Sequence, residues 1–209
     1  MPQNFALRAH CRQDVCAPSE TWRVFCAIDL PQNVRGSLMG HIRQLRESAP
    51  DARASWSRAD NIHLTVKFLG DISPASGPNL SDAAARAVVG IGSFKIRLER
   101  TGAFPPHGPA RVLWIGVDDL EGKLSELHLR LEDESARAGF GREARSFHPH
   151  LTLARLRTPQ HARSLRAAHD AMKFEPVEIV VSELLVIRSE LSSAGSKYTT
   201  ISRHSLAES

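Results

Sequence analysis

The chain has few residues of the kinds that mark secreted and membrane proteins. Its three cysteines, Cys11, Cys16 and Cys26, are odd in number and too few for a disulfide framework, which favours a reducing cytoplasm. No apolar run reaches the roughly 18 residues of a membrane-spanning helix. Residues 1–21 are polar and lack the apolar centre of a signal peptide. We therefore expect a cytoplasmic protein that does not associate with membranes.

The sequence also lacks the common signatures of metal and nucleoside triphosphate sites. It contains no His-Glu-x-x-His pair, no glycine-rich P-loop and no nucleophile-elbow motif. A catalytic zinc site needs about three protein ligands, often histidines with a carboxylate. The two histidine motifs described below contain no Asp, Glu or Cys at ligand spacing. We therefore expect no metal and no cofactor.

Length and composition fit one globular domain. With 209 residues, 42% of them hydrophobic, the chain can bury a substantial core. Residues 1–21 are predicted to form a flexible extension, and residues 22–209 a single domain. The net charge of +4 is compatible with a nucleic acid or another anionic partner, but does not by itself identify one.

A short motif, His-Leu-Thr followed by apolar residues, occurs at positions 63–65 and again at 150–152. Side chains two positions apart in a strand point to the same face, so His63 shares a face with Thr65, and His150 with Thr152. A histidine can move a proton near neutral pH, and a threonine hydroxyl can hold an oxyanion. Two such pairs suit acid–base chemistry on one phosphate.

Each motif follows a similar strand-like segment, which indicates an internal duplication. Residues 23–30 precede the first motif and residues 111–118 precede the second. Forty positions separate Arg23 from His63, and thirty-nine separate Arg111 from His150, with a helix-like stretch between in both cases. A repeated strand–helix–strand unit predicts two facing lobes that bring both histidine motifs to one central groove.

The hydrophobic periods predict strands interspersed with helices. Strands are expected at residues 22–30, 54–56, 62–69, 94–100, 112–117, 151–156, 174–189 and 197–202, helices at 31–48, 80–90, 120–138 and 161–173, and loops at 70–79 and 102–109. This mixture, with hairpin-like connections, predicts an α+β architecture.

The two motifs resemble the signature motifs of the 2H phosphoesterase superfamily. Further segments resemble the RNA 2′,3′-cyclic phosphodiesterases of bacteria and archaea, a family historically called 2′-5′ RNA ligases: residues 25–31, 61–70, 102–105, 111–114, 147–155 and 189–198. The resemblance covers nearly all of the chain beyond the first ~20 residues. It implies two pseudo-symmetric lobes, each an antiparallel sheet with helices, around a central cleft.

The resemblance implies roles for individual residues. His63 matches the proton donor and His150 the proton acceptor, while Thr65 and Thr152 match residues that bind nonbridging phosphate oxygens. Arg155 matches an arginine that contacts the phosphate. In a regular strand, however, a residue five positions after His150 faces away from it, so this role requires a strand end or a bulge.

An aromatic residue near the first motif has two readings. Phe25 lies in the strand-like segment that precedes this motif. Aromatic side chains stack on unpaired bases, so Phe25 can contribute base stacking. A position in the hydrophobic core is an equal alternative.

The resemblance implies hydrolysis of RNA 2′,3′-cyclic phosphate ends to a 2′-phosphomonoester without a metal, with tRNA fragments among the substrates to consider. The residues support such chemistry, because neutral His150 can activate water while protonated His63 protonates the leaving oxygen. The alternatives are reversible 2′-5′ RNA ligation, hydrolysis of another small cyclic nucleotide, and noncatalytic binding of RNA ends. Intact histidines in both motifs argue against the last. We expect a monomer whose partner is RNA.

Overall fold

The computed structural model describes residues 20–157, 162–192 and 195–207. Residues 1–19 of the predicted extension, including Cys11 and Cys16, lie outside this part of the chain. The strands are β1 Trp22–Ile28, β2 Ala54–Trp56, β3 Leu64–Ile72, β4 Phe94–Phe104, β5 Val112–Asp118, β6 His150–Leu156, β7 Val177–Val181, β8 Glu183–Ser192 and β9 Gly195–Ser205. The α-helices are α1 Gln32–Ser48, α2 Gly77–Val88, α3 Lys123–Arg137 and α4 Ala162–Ala171. Among the described residues, no helix is long and apolar enough to cross a membrane.

The strands form two antiparallel sheets, which confirms the α+β prediction. One sheet has the order β3-β1-β8-β9 and the other the order β2-β6-β5-β4-β7. The unit β1-α1-β3 recurs as β5-α3-β6, and in each unit the two strands pair directly with each other. The duplication inferred from the sequence is therefore visible in the structure: β3 and β1 of the first sheet correspond to β6 and β5 of the second. The second sheet has the short edge strand β2 in addition.

The predicted strand at residues 174–189 is wrong, because this segment forms two strands in different sheets. β7 pairs with β4, whereas β8 pairs with β1 and β9. The chain passes from one sheet to the other at Ser182, where Ser182 and Glu183 interrupt the run of apolar residues. Two predicted loops are also too long, since β4 runs to Phe104 and α2 begins at Gly77.

One continuous core lies beneath the helices and joins the two sheets. Helices α1 and α3 each bury one face: Val34, Leu38, Ile42 and Leu45 of α1, and Leu124, Leu127, Leu131 and Ser135 of α3. A second, smaller cluster lies on the other face of the first sheet and contains Phe25, Ala27, Leu185 and Ile187, with Tyr198 against it. β1 is thus buried on both faces, and its second face belongs to the side of the sheet that carries the first histidine motif.

Candidate active site

The two histidine motifs have the same pattern of burial. From His63 to Leu69 the successive residues are half-buried, buried, half-buried, buried, buried, exposed and half-buried. The residues from His150 to Leu156 follow the same order. In a regular strand, burial alternates. The two consecutive buried residues in each motif indicate that the alternation changes phase at the same place in both repeats.

A β-bulge in the second motif explains this change. On the partner strand β5, Val112 pairs with Arg155 and Trp114 pairs with Thr152, and Leu153 is the extra residue between these pairs. Paired residues in an antiparallel sheet lie on the same face, and so do Val112 and Trp114, which are two apart. Arg155 therefore lies on the same face as Thr152, and the bulge required by the predicted role of Arg155 is present.

The first motif contains the corresponding bulge. Phe25 pairs with Phe68 and Ala27 pairs with Thr65, so an extra residue follows Thr65 just as Leu153 follows Thr152. Phe68 consequently shares the face of Thr65 and occupies the position that Arg155 has in the second motif. Its side chain is 47% exposed. The sequence analysis did not single out Phe68, although its spacing from His63 equals that of Arg155 from His150.

Each catalytic candidate histidine is bonded to a main-chain carbonyl two residues before it. Nδ1 of His150 lies 2.6 Å from the carbonyl oxygen of His148, and His63 bonds to the carbonyl of Asn61. Because a carbonyl only accepts hydrogen bonds, Nδ1 of His150 carries a proton and donates it. Its Nε2 is then the basic nitrogen of the neutral ring, free to accept a proton.

Burial lowers the pKa of both histidines. The pKa of His63 falls to about 4, chiefly because burial disfavours the imidazolium; the Asn61 carbonyl opposes this shift, and the positive charge of Arg35 adds to it. The pKa of His150 is also lowered, again mainly by burial, against the stabilising His148 carbonyl. The free site therefore favours two neutral imidazoles at neutral pH.

Aromatic rings account for part of this burial. The ring of Phe25 stacks on His63 with centroids 4.5 Å apart, and the edge of Tyr198 meets His63 at 5.2 Å. Phe104 contacts His150 edge-on at 5.0 Å. Phe25 is only 4% exposed, and its ring also meets Tyr198 at 5.4 Å between centroids, so it is packed among side chains rather than presented to solvent.

Arg35 of α1 holds the chain that enters the first motif. Its guanidinium donates to the carbonyl of Ile62 at 3.0 Å, bonds the carbonyl of Ala59, and pairs with Asp29. A planar guanidinium can make these bonds at once because its donors are fixed in a fork. The residue directly before His63 is thus anchored to α1. Sequence reasoning missed Arg35, since only the folded chain brings it to this turn.

Ser57 connects the two motifs. Its main-chain N–H donates to the carbonyl of Leu153 at 2.8 Å, and its hydroxyl donates to the carbonyl of Thr152 at 2.7 Å. Only five residues separate Ser57 from His63, so these bonds tie the approach to the first motif to the strand of the second. Strands β3 and β6 also contact each other. The structure therefore brings the two motifs together, as the duplication predicted.

The remaining histidines of the described chain are elsewhere or differently used. His148 and His107 are exposed, while His41 and His169 form a buried pair with ring nitrogens 3.2 Å apart. Within the described residues, no group of three or more His, Cys, Asp or Glu side chains is arranged to hold a metal ion. The absence of a metal requirement stays a prediction.

Two facing repeats with matched His-x-Thr motifs define a phosphoesterase-type site. The model of the 2′-5′ RNA ligase superfamily matches residues 34–192, so the chain belongs to this family. It is 31% identical over 180 residues to the RNA 2′,3′-cyclic phosphodiesterase of Methanothermobacter thermautotrophicus, covering 85% of this chain and 95% of that one. It is 30% identical over 194 residues to the Escherichia coli protein of the same name, covering 91% and 99%.

Solved structures agree with this assignment. E. coli LigT in apo form superposes with a TM-score of 0.71 at 28% identity, covering 91% of this chain and all of that chain. The protein TT0787 of Thermus thermophilus gives a TM-score of 0.72 at 28% identity, covering 89% and 98%. These likenesses confirm the predicted two-lobed architecture.

Proposed function

We propose that this chain hydrolyses RNA 2′,3′-cyclic phosphodiester ends to 2′-phosphomonoesters by acid–base catalysis with two histidines. The observation that carries the proposal is the equivalence of the two motifs. Each presents a histidine and a threonine on one face, holds the histidine through a carbonyl two residues before it, and contains a bulge directly after the threonine. The names of the relatives, RNA 2′,3′-cyclic phosphodiesterase, supply the substrate class.

In the proposed reaction, His150 is the base and His63 the acid. Nε2 of neutral His150 takes a proton from water as the water oxygen bonds to phosphorus. Protonated His63 gives a proton to the ribose 3′-oxygen as the bond from phosphorus to that oxygen breaks. The phosphate remains on the 2′-oxygen. Each histidine contributes about 10²–10⁴ to the rate, as expected for a positioned acid or base.

Three further side chains stabilise charge on the phosphate in this proposal. The hydroxyls of Thr65 and Thr152 donate hydrogen bonds to nonbridging oxygens, and the guanidinium of Arg155 supplies a positive charge on the same face as Thr152. Donors fixed in advance at a partly buried site stabilise developing negative charge effectively, because they need no reorganisation during the reaction.

The substrate itself helps to protonate His63. The pKa of about 4 in the free protein leaves this ring neutral at pH 7, unsuited to act as an acid. A cyclic phosphodiester carries a negative charge, and an opposite charge within a few ångströms favours the imidazolium. Binding of the substrate therefore raises the pKa of His63 and loads the acid only when a phosphate is present.

Phe68 supplements Phe25 as a base-stacking residue in this proposal. Phe25 keeps its place against His63, whereas Phe68, 6.1 Å away between ring centroids, has almost half of its surface exposed on the same face. An exposed ring beside the phosphate site can stack on the terminal base, as aromatic side chains do on unpaired nucleotides.

The direct test is to identify the product from an RNA with a 2′,3′-cyclic phosphate end. We expect only the 2′-phosphate isomer, distinguished from the 3′-isomer by ³¹P NMR and by resistance to a 3′-specific phosphatase. A product with only 3′-phosphate would mean that His63 faces the other ribose oxygen. Hydrolysis should also survive dialysis against excess EDTA; loss of activity that zinc or manganese restores would contradict a metal-independent mechanism.

Reversible 2′-5′ RNA ligation is a second candidate, favoured by the name of the matching family. In that reaction, an RNA 5′-hydroxyl replaces water in the attack on the cyclic phosphate, and the same two histidines transfer the protons. Incubation of a cyclic-phosphate RNA with a 5′-hydroxyl RNA at high concentration tests this directly. A ligated product cleaved again on dilution would establish the activity; free 2′-phosphate alone would exclude it under those conditions.

A further inference from the structure

The short strand β2 separates two differently lined surfaces. Ser55 pairs with Arg155 and therefore faces the groove, whereas Trp56 pairs with buried Ala154 and faces the helix side of the sheet. On that side, a cavity of about 580 Å³ lies between β2 and the end of α1, and Arg43, Arg46 and Trp56 are among its lining residues. β2 is the edge of its sheet, so a chain leaving the groove reaches this cavity by crossing one strand.

Five arginines lie along this path from the groove over β2 to the cavity. Arg155 and Arg157 lie on β6 and directly after it, Arg53 directly precedes β2, and Arg43 and Arg46 line the cavity; all five are exposed. Within the described part of the chain, none of the five forms a salt bridge with a carboxylate. Arg157 instead donates to the hydroxyl of Ser55 at 2.9 Å. Their charges are thus available to an anionic partner.

The opposite edge of the same sheet differs. There, Arg97 pairs with Glu178 at 2.7 Å and Lys95 with the same carboxylate at 3.8 Å, while Arg100 pairs with Asp118. Cations on that edge are neutralised within the protein. Among the described residues that line the cavity, Glu47 is the only carboxylate, beside Arg43 and Arg46.

We infer that the β2 edge and the cavity behind it bind the single-stranded RNA that leads to the reacting end. Unpaired arginines suit successive phosphates, and half-buried Trp56 offers a ring for a base, the combination that binds single strands without sequence preference. The inference rests on the proposed function, because it takes the groove as the position of the RNA terminus. It makes an RNA strand, rather than a free cyclic nucleotide, the preferred substrate.

The test compares a ribonucleoside 2′,3′-cyclic monophosphate with an RNA decamer that ends in the same cyclic nucleotide. The variant is Arg43→Gln/Arg46→Gln, and the control is Lys95→Gln/Arg97→Gln, which removes two cations from the opposite edge. We expect the arginine variant to lower kcat/KM for the decamer by roughly fivefold to tenfold, since two phosphate contacts are lost. Turnover of the monophosphate should change less than twofold, and the control should change neither.

Salt dependence and binding give independent readouts. The slope of log KM against log salt for the decamer should fall by about 1.4 in the arginine variant, about 0.7 for each phosphate contact on a single strand. Fluorescence anisotropy with a decamer carrying a 2′-phosphate measures the surface without any turnover. If the arginine variant binds more weakly and the control variant does not, the inference is supported. Absence of hydrolysis of any cyclic phosphate would overturn only the proposed function. Equal binding and turnover by the arginine variant and the wild type would overturn the inference.

Discussion

The two histidine motifs have the same backbone but different surroundings. In both, an extra residue follows the threonine and turns the fifth position after the histidine into the groove. That position is an aromatic residue, Phe68, in the first repeat and a cation, Arg155, in the second. A duplicated frame has thus kept its geometry while its side chains have diverged.

The residues directly before Phe68 and Arg155 also differ between the two repeats. Lys67 is fully buried and pairs with Glu132 of α3 at 2.6 Å, and it also donates to the carbonyl of Gly141 at 3.0 Å. The corresponding residue in the second repeat is Ala154, whose buried side chain has no charge that needs a partner. Glu132 in turn accepts from the main-chain N–H of Glu143 at 3.2 Å. The first motif is therefore tied to the segment that leads to the second.

The two histidines share a motif but differ in their electrostatic surroundings. Both histidines have a lowered pKa, but only His63 lies beneath a stacked ring and near a buried arginine, and its pKa falls to about 4. Surroundings contributed by β1, α1 and β9 make the difference.

The largest effect is expected from removing either imidazole. His63→Ala and His150→Ala should each lower kcat for a cyclic-phosphate RNA by about 10²–10⁴, because each loses one proton transfer. His148→Ala, next to the second motif but exposed, is the control and should retain near-normal turnover. If either variant kept a near-normal kcat and a circular dichroism spectrum like that of the wild type, the model of two paired histidines would be wrong.

The second prediction concerns the buried ion pair that only the first repeat has. Lys67→Met leaves the Glu132 carboxylate buried without its cation, which should lower the free energy of unfolding by about 3–5 kcal/mol. Lys67→Met/Glu132→Gln removes both charges and keeps an acceptor for Glu143, so it should recover most of this loss. Urea denaturation measures both. A double variant as unstable as the single one would show that the cost comes from packing of the lysine chain.

The fold and the two His-x-Thr pairs were predictable because their signals are local. Helical periods, strand alternation and the repeat of a short motif are all contained in a few neighbouring residues, and the equal spacing in the two halves made the duplication visible. The strand break at Ser182 was missed: Ser182 and Glu183 interrupt the apolar run there, but a polar pair by itself does not show that the chain changes sheets.

The rest of the site depends on contacts between distant parts of the chain. Whether Arg155 faces the groove is decided by one extra residue in a strand pairing, which parity alone predicts incorrectly. Arg35 and Ser57 act on main-chain carbonyls, and carbonyls have no signature in a sequence. Phe68 had one detectable signal, its position five residues after His63, which becomes informative only when the bulge in each repeat is known.

The third prediction separates the two diverged positions. Arg155→Gln should lower kcat/KM by about 10–100-fold for every cyclic-phosphate substrate, because it removes a charge-assisted contact to the phosphate. Phe68→Ala should instead raise KM about tenfold, the scale of one lost base stack. Ribose 2′,3′-cyclic phosphate, which has no base, discriminates between them: Arg155→Gln should impair it and Phe68→Ala should not. Equal effects of Phe68→Ala on both substrates would assign this ring to packing alone.

The fourth prediction concerns pH. In the proposed mechanism, the active form has His63 protonated and His150 neutral, and burial lowers both pKa values in the free protein. The profile of kcat/KM, which reports the free enzyme, should therefore be a bell whose alkaline limb begins below the ordinary histidine value of about 6.5. In the complex, the phosphate charge raises the pKa of His63, so the alkaline limb of kcat should lie at higher pH. A kcat limb at or below that of kcat/KM would contradict loading of the acid by the substrate.

The smallest effect should come from replacing the aromatic residue that packs against each histidine with leucine. Phe25→Leu removes the stacked ring and lets water approach His63, so the pKa of His63 should rise from about 4 toward its ordinary value. More of the free enzyme then carries the proposed acid in its protonated form, and kcat/KM at pH 7 should increase. Phe104→Leu is the matched change, because Phe104 contacts His150 only edge-on. Loss of that ring should raise the pKa of His150, so that less of the proposed base is neutral and kcat/KM at acidic pH should fall. The two limbs are properties of the coupled pair, so the decisive comparison is the direction in which kcat/KM changes at neutral and at acidic pH in each variant. The same change of kcat/KM in both variants would mean that the two histidines do not divide the roles of acid and base as proposed.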